Sequence, residues 1–185
     1  FSRKSFDFKV FDSASELHDQ IRVKNEVNNK SRVVAGYCWN WISKKDSRLY
    51  DIQILDENYK AKWNLSEYGN NWIIDRNSVN EVGCIHTCQG LEVDYVGVII
   101  GEDLKFDGNR LITDASKRAK TDQSLKGFKK ELAASPVAAE AKADELIRNT
   151  YRTLMSRGMR GCYIYAVDKE TREFFKQALD ALPKG

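Results

Sequence analysis

The chain has 185 residues, with 30 lysines and arginines against 27 aspartates and glutamates and a net charge of +3. This length suits one packed domain with its own core and is too short for a complete two-domain motor. The weak positive charge by itself barely favours a nucleic-acid partner. No apolar run approaches the roughly 18 to 20 residues that span a bilayer, and the charged start FSRKSF does not resemble a signal peptide. We therefore expect residues 1–185 to form one cytoplasmic domain.

The four cysteines lie in or beside apolar segments, where a free thiol acts as a small apolar side chain. This usage predicts a reducing compartment. They are Cys38, Cys84, Cys88 and Cys162. Because the sequence begins at Phe1 and not at a methionine, we also expect it to continue upstream in a longer parent chain.

The first half of the chain predicts two strands and a helix. Residues 6–12, FDFKVFD, alternate apolar and polar as a half-buried strand does, and Ser13 with Glu16 forms a capping box for a helix to about Val27. Residues 31–41, SRVVAGYCWNW, are continuously apolar, which is typical of a parallel strand covered on both faces. Residues 43–80 are polar and irregular, with a short strand candidate at DIQIL, and predict an insertion or a hairpin excursion.

The second half predicts further strands separated by helices. A strand is expected at Tyr95 to Ile100, a long basic surface connection over 102–135, and a helix from Ser135-Pro136 to Arg157 with Gly158 as its cap. A strand at Cys162 to Val167 and a last helix follow. This alternation predicts an α/β fold with a mostly parallel sheet flanked by helices and an irregular insertion around 43–80.

Residues 82–104, VGCIHTCQGLEVDYVGVIIGEDL, place polar residues and a glycine turn immediately before an apolar strand. The backbone amides of such a turn bind anions, and Gly90 beside Gln89 allows a phosphate to approach closely. Glu92 can accept hydrogen bonds from a ribose, while His86 and Thr87 can reach a nucleic-acid backbone on the other side. The alternative is that Gly90 only makes a turn and His86 is an ordinary polar rim residue.

A metal site is a further interpretation of the same segment. Cys84, His86 and Cys88 recur at every second residue, so an extended strand would place them on one face. They lack the usual C-x-x-C spacing, and a fourth ligand would have to come from Cys38 or Cys162. Core thiols are therefore the favoured interpretation, and no metal is expected.

A second polar constellation lies in NTYRTLMSRGMRG, residues 149–161. Basic residues at the end of a helix offset its macrodipole, which is a sufficient reason for some of the arginines there, Arg148, Arg152 and Arg160 among them. Gly158 and Gly161, however, fix where Arg157 emerges between helix and strand. An arginine so placed can reach a γ-phosphate held by a neighbouring domain.

Two further features point to nucleic acid. Trp39 and Trp41 flank a strand end and can stack on an unpaired base, although such residues more often belong to the core. The connection over 105–130 can follow a phosphate backbone by counterion release, although a solvated loop has the same composition. Its basic residues are Lys105, Arg110, Lys117, Arg118, Lys120, Lys126, Lys129 and Lys130.

The two polar segments resemble motifs V and VI of superfamily 1 helicases, which the second, C-terminal RecA-like domain carries in this order. Together with SRVVAGYCWNW and the opening FDFKVFDSASEL, they are similar to the Schlafen-group-3-like DNA/RNA helicase family, a largely bacterial group. Ser156 stands where that family usually has threonine and keeps its hydroxyl group.

The resemblance implies roles for individual residues. His86 would contact single-stranded nucleic acid, Gln89 and Gly90 would approach the γ-phosphate, and Glu92 would hold the ribose. Arg157 would be the arginine finger, with Arg160 beside it on the nucleotide side, and Asp94 would order the loop.

The resemblance also implies what lies elsewhere. No G-x-x-x-x-G-K-[ST] phosphate loop occurs in the sequence, so ATP and Mg²⁺ are expected to bind in the longer parent, between this domain and an N-terminal RecA-like domain. Single-stranded DNA or RNA is the other expected partner; a membrane is not. This chain alone is expected to be inactive. An ATP-dependent clamp or sensor that does not unwind remains the alternative function.

Overall fold

A seven-stranded sheet forms the centre of the fold in the described part of the chain. The computed structural model describes residues 6–64, 71–88 and 90–181. The strands are β1 Asp7–Val10, β2 Ser31–Ala35, β3 Ile52–Ile54, β4 Tyr59–Trp63, β5 Glu81–Gly83, β6 Val93–Ile100, β7 Leu104–Phe106, β8 Leu111–Thr113 and β9 Gly158–Ala166. The helices are α1 Ala14–Asn28, α2 Phe128–Ala134, α3 Pro136–Met155 and α4 Lys169–Asp180.

The strand order in this sheet is β1-β9-β6-β2-β5-β4-β3. The sheet is mostly parallel, and β6 pairs with β9 on one side and with the central strand β2 on the other. Within this sheet only the β3 and β4 pair runs antiparallel. Helix α1 covers one face with Leu17 and Ile21, and α3 covers the other with Ile147 and Leu154, so β2 is buried along its whole length. The predicted α/β class is confirmed, and the architecture is consistent with a RecA-like fold.

Both predicted helix starts are confirmed. The Ser13 side chain accepts hydrogen bonds from the backbone amides of Ser15 and Glu16 at 3.2 and 3.4 Å, and α1 begins at the next residue. Helix α3 begins at Pro136, whose missing N–H is not needed in a first turn.

The predicted end of α3 is wrong by a few residues. Ser156 caps the helix, and Gly158 is already the first residue of β9, where it pairs with Val93. Strand β9 thus starts before Cys162. The glycine is needed there because a Cβ on Gly158 would collide with the carbonyl oxygen of Gly161.

Of the two interpretations of residues 43–80, the hairpin is the one observed. Strands β3 and β4 form an antiparallel pair, and β4 then pairs in parallel with β5, so this segment extends the main sheet. Trp63 is fully buried and Trp72 is 4% exposed. The strands of this segment therefore contribute to the core, whereas residues 44–50 are irregular and mostly exposed turns. Residues 65–70 lie outside the described part.

Residues 102–135 are more ordered than a surface connection. They contain the β7–β8 hairpin, short 3-10 turns and α2. Within the described ranges, no helix has the length and apolar character needed to cross a membrane.

His18 fixes the inserted hairpin to α1. Its ring nitrogens lie 2.7 Å from the Tyr59 hydroxyl group and 2.7 Å from the Val79 carbonyl oxygen. Burial, and then the nearby charge of Arg22, lower the pKa of His18 from 6.5 to about 4, against the opposing effects of Val79 and Asp19.

The folded protein should therefore lose stability in mild acid. As the pH falls below 6.5 the unfolded chain takes up a proton on His18, but the folded protein does so only near pH 4. The shift corresponds to about 3 kcal/mol, present at neutral pH and lost on acidification. Urea unfolding from about pH 7 to about pH 4 should show a shallower decline for His18→Gln than for the wild type. Parallel declines would contradict this role of His18.

Candidate functional site

The predicted site residues fall on two opposite edges of the sheet. We call the amino edge the region where β6 and β9 begin, residues 90–94 and 157–161. The carboxyl edge is the region where β2, β5 and β6 end, residues 36–41, 84–88 and 101–103. Because β5 and β6 both run parallel to β2, residues 84–92 must cross the sheet from the carboxyl edge to the amino edge. Cys88, which belongs to this crossing segment, is fully buried in the same core cluster as residues of α3.

Gly90 and Arg157 meet at the amino edge. Gly90 has a φ of 74°, a conformation that favours glycine, and open space surrounds it. One residue further on, the Leu91 carbonyl oxygen accepts a hydrogen bond from Arg157 Nη1 at 3.4 Å. The backbone also joins the two segments, since the Val93 amide donates to the Arg157 carbonyl oxygen at 3.0 Å.

Hydrogen bonds hold the Arg157 guanidinium in place without using all of its N–H groups. Its Nε donates to the Thr153 carbonyl oxygen at 3.0 Å and its Nη2 to Ser156 Oγ at 3.1 Å. A guanidinium carries five N–H groups, so its three hydrogen bonds to residues that the structure describes leave one N–H on each terminal nitrogen. These two groups are the pair that a bidentate contact with phosphate oxygens uses.

Arg160 and Asp94 form an ion pair beside this site. Arg160 Nη1 lies 3.2 Å from Asp94 Oδ2, which also accepts a hydrogen bond from Asn28 Nδ2 at 2.8 Å. Burial alone would raise the pKa of Asp94, but the hydrogen bonds from Asn28 and Arg160 outweigh it and lower the pKa below its usual range. Asp94 thus joins the end of α1 to the starts of β6 and β9. Glu92 is exposed at the same edge, and Gln89 lies outside the described residues.

His86 and Thr87 lie at the carboxyl edge. The backbone amides of Thr87 and Cys88 both donate to the Cys84 carbonyl oxygen at 3.1 Å, so residues 84–88 form a turn. Thr87 faces inward, where its hydroxyl group donates to the Cys84 carbonyl oxygen at 2.9 Å. The His86 side chain is 48% exposed at the tip of this turn.

The turn also corrects the metal interpretation of this segment, which required an extended strand. Cys84 and Cys88 belong to different core clusters, while the His86 side chain is half-exposed. Across the described ranges, no group of three histidine, cysteine or acidic side chains is arranged to hold a metal ion.

The two tryptophans at the carboxyl edge differ in their surroundings. Trp39 is half-buried against Trp63, whose Nε1 donates to the Trp39 carbonyl oxygen at 3.1 Å. Trp41 is also half-buried, and the Lys44 ammonium group lies 4.0 Å from its ring centroid. A cation covers one face of Trp41, so Trp39 is the ring better placed to meet a ligand.

Comparison with known proteins identifies the family. The profile of the Schlafen group 3, DNA/RNA helicase domain matches residues 1–168. The chain belongs to this helicase-domain family. It is also 30% identical over 173 residues to an uncharacterised protein of Saccharomyces cerevisiae, YPL245W, which covers 92% of this chain and 36% of that protein. The chain thus spans about a third of its relative's length. No solved structure matches it.

A buried ionic network in this helicase domain was not predicted from the sequence. The Arg118 side chain is 1% exposed, and it lies between Asp103 and Asp122, whose side chains are equally buried. Arg118 Nη1 donates to Asp103 at 3.1 Å and Nε to Asp122 at 2.7 Å. From α3, the Tyr151 hydroxyl group donates to Asp103. Arg118 was expected among the basic residues of a surface loop, and that expectation is wrong; Lys117 and Lys120 beside it are exposed.

The charges in this network reinforce one another. Burial alone would lower the pKa of Arg118, but the charges of Asp122 and Asp103 outweigh it and raise the pKa above its usual value. Burial, with the nearby Cys38 and Asp103, raises the pKa of Tyr151 well above its usual value. The guanidinium is therefore charged and the phenol neutral throughout the working range of pH.

Residues 118–122 join the separate parts of the carboxyl edge. The Ala119 amide donates to the Tyr37 carbonyl oxygen at 2.9 Å, and the Lys120 amide donates to Asn40 Oδ1 at 3.0 Å. Asp122 Oδ1 lies 3.9 Å from His86 Nε2. The loop after β2 is thus hydrogen-bonded to the segment that Arg118 holds, and the His86 side chain lies close to the same segment.

Removing the Arg118 charge should destabilise the protein strongly. Arg118→Met leaves two buried carboxyl groups without their cation, and breaking a buried pair in this way costs about 3 to 5 kcal/mol. Urea unfolding measures the loss. Lys120→Met removes an exposed charge two residues away and should change the free energy of unfolding little. A similar small effect for both variants would show that the network is not structural.

Proposed function

We propose that this chain is the second RecA-like domain of an ATP-dependent superfamily 1 helicase, and that it completes an ATP site shared with an N-terminal RecA-like domain of the parent chain. One observation carries the proposal. Arg157 is fixed against the Leu91 carbonyl oxygen beside the open Gly90 turn, with one N–H left on each terminal nitrogen. Membership of the helicase-domain family agrees with this assignment.

In this proposal Arg157 is the arginine finger. Its two remaining N–H groups contact the γ-phosphate and stabilise the charge that spreads over the phosphate oxygens during transfer. Gln89 and the Gly90 backbone approach the same phosphate, Glu92 holds the ribose, and Arg160 adds positive charge beside it. The N-terminal domain supplies the phosphate loop and the ligands of Mg²⁺.

The nucleic acid lies at the other edge in the same proposal. His86 presents a half-exposed ring at the carboxyl edge, and Thr87 shapes the turn that carries it. Trp39, and more weakly Trp41, offer aromatic rings to unpaired bases, while Lys117 and Lys120 contact phosphates. The crossing segment 84–92 and helix α3 connect the two edges, so hydrolysis can be linked to movement along a strand.

Substitution of the finger should abolish turnover by the parent protein. Arg157→Ala removes the transition-state contact and should lower the rate of ATP hydrolysis stimulated by single-stranded DNA or RNA by about 10³ to 10⁵. Arg152→Ala is the matched control, because Arg152 is exposed on the same helix and donates to Asn149 at 3.1 Å. Unchanged turnover in Arg157→Ala would remove Arg157 from the mechanism. Strand displacement by the wild type then separates a helicase from an ATP-dependent clamp, since a clamp hydrolyses ATP but releases no annealed strand.

The separation of the two edges predicts separable defects. His86→Ala should weaken binding of single-stranded nucleic acid several-fold and leave ATP affinity unchanged, because His86 lies across the sheet from Arg157. Arg157→Ala should retain strand affinity and lose ATP turnover. Fluorescence anisotropy with labelled strands and with a labelled ATP analogue measures the two affinities, and the hydrolysis assay measures turnover. Equal loss of both affinities in either variant would contradict the two-edge arrangement.

A further inference from the structure

The carboxyl edge carries a groove of about 310 Å³ that neither helicase motif explains. Its walls include Trp39, Gln53, Asp56, Glu102 and Lys117. This volume is at the low end of the range of ligand pockets, roughly 300 to 1,000 Å³. The groove therefore suits a small planar group and not a folded partner.

The groove lies at the topological switch point of the sheet. Strands β2 and β6 are neighbours, but the chain leaving β2 continues towards β3, β4 and β5 on one side, and the chain leaving β6 continues towards β9 on the other. The crevice outside the carboxyl ends of two such strands is where open α/β sheets bind ligands. Trp39 follows β2 and Glu102 follows β6, so each strand contributes one wall.

The groove combines one aromatic wall with two carboxylates, Asp56 and Glu102, which only accept hydrogen bonds. Gln53 uses one N–H of its Nε2 to donate to the Tyr50 carbonyl oxygen at 2.9 Å, which leaves its carbonyl oxygen as a third acceptor and one N–H as a donor. Lys117 lies 3.1 Å from Glu102 and holds that carboxylate in position.

These walls define the ligand. An aromatic face selects a flat ring, and several acceptors select a ring that carries N–H donors. Among nucleobases, adenine, cytosine and guanine carry an exocyclic amino group, whereas uracil and thymine present carbonyl oxygens in its place. Those oxygens would face the carboxylates of Asp56 and Glu102 without an intervening proton.

We propose that the groove binds one unstacked base of a single strand and prefers bases with an amino group over uracil and thymine. The proposal rests on the proposed function for the strand itself, and it adds base selectivity to the carboxyl edge. His86 places the strand near the groove, because residues 118–122 are hydrogen-bonded to the loop that carries Trp39 and Asp122 lies 3.9 Å from His86. The base stacks on Trp39 and donates to the acidic pair.

The test compares two single strands whose bases differ mainly in one position, which carries an amino group in cytosine and a carbonyl oxygen in uracil. Oligodeoxycytidylate and oligodeoxyuridylate of equal length are titrated into the parent protein without nucleotide, at a slightly alkaline pH where cytosine is neutral, and anisotropy gives both affinities. The wild type should bind the cytosine strand about tenfold more tightly, the discrimination expected of a good base contact. In Asp56→Asn/Glu102→Gln the amides can also donate to uracil, so the ratio of affinities should fall towards one.

The control removes the same number of negative charges elsewhere. Glu26→Gln/Glu170→Gln changes two exposed carboxylates outside the groove, so both strands should bind somewhat more tightly while their ratio stays at the wild-type value. A wild-type ratio near one, or a ratio that survives Asp56→Asn/Glu102→Gln, would overturn the groove proposal and leave strand binding intact. Absence of binding to either strand would instead overturn the nucleic-acid part of the proposed function, and the groove proposal with it.

Discussion

The buried guanidinium of Arg118 is the interaction on which the carboxyl edge depends. An isolated charge in the core costs several kcal/mol, and only paired, hydrogen-bonded carboxyl groups offset that cost. Asp103 enters the pair from the end of β6 and Asp122 from the segment after β8, so neither segment can move without exposing a buried charge. The loop after β2 is hydrogen-bonded to the same segment, and His86 lies beside it. The connection over residues 102–135 thus exposes several lysines to solvent but is held rigidly to the core by this buried ionic network.

Helix α3 brings the same constraint to the other edge. Tyr151 bonds to Asp103 near the carboxyl edge, and Arg157 follows six residues later at the amino edge, a rise of about 9 Å along a helix. Tyr151 therefore lies within α3, and Arg157 follows directly after its cap, Ser156, so one helix positions both residues. A shift of α3 along its axis would disturb the Asp103 contact and the position of Arg157 together. This shared helix gives the proposed motor a physical link between its nucleotide and its nucleic acid.

The sequence predicted what local patterns control. Apolar patterns located β1, β2, β6 and β9 but not β4, and Ser13 and Pro136 located two helix starts, because capping depends only on neighbouring residues. The segments around Gly90 and Arg157 were also identified, since glycines and arginines at fixed spacing are visible in the sequence. The residue pattern and the family resemblance also placed His86 on the other side from the phosphate-facing residues, but which sheet edge carries each group follows from strand order and not from spacing.

Buried arginines were the main failure of sequence reasoning. Arg118 stands among exposed lysines, and its partner Asp103 is 15 residues away, so nothing local distinguishes it from a solvated residue. Arg32 in β2 is similar: it is fully buried and donates to the carbonyl oxygens of Trp72 and Ile73 at 3.2 and 3.0 Å. Through it, β2 holds the chain that leads into β5. The burial of a charged residue can be predicted only when its partners elsewhere in the chain are known.

The hydrogen bonds of Arg157 bear on how such a domain would work. A free arginine side chain loses considerable conformational entropy when it docks on a phosphate, whereas Arg157 is already fixed by Thr153, Ser156 and Leu91. The ordering cost is met in folding and not at each turnover. In the proposed motor the finger therefore needs no rearrangement of its own. What remains to change is the position of the whole domain relative to its neighbour, which decides whether the two unused N–H groups reach the phosphate.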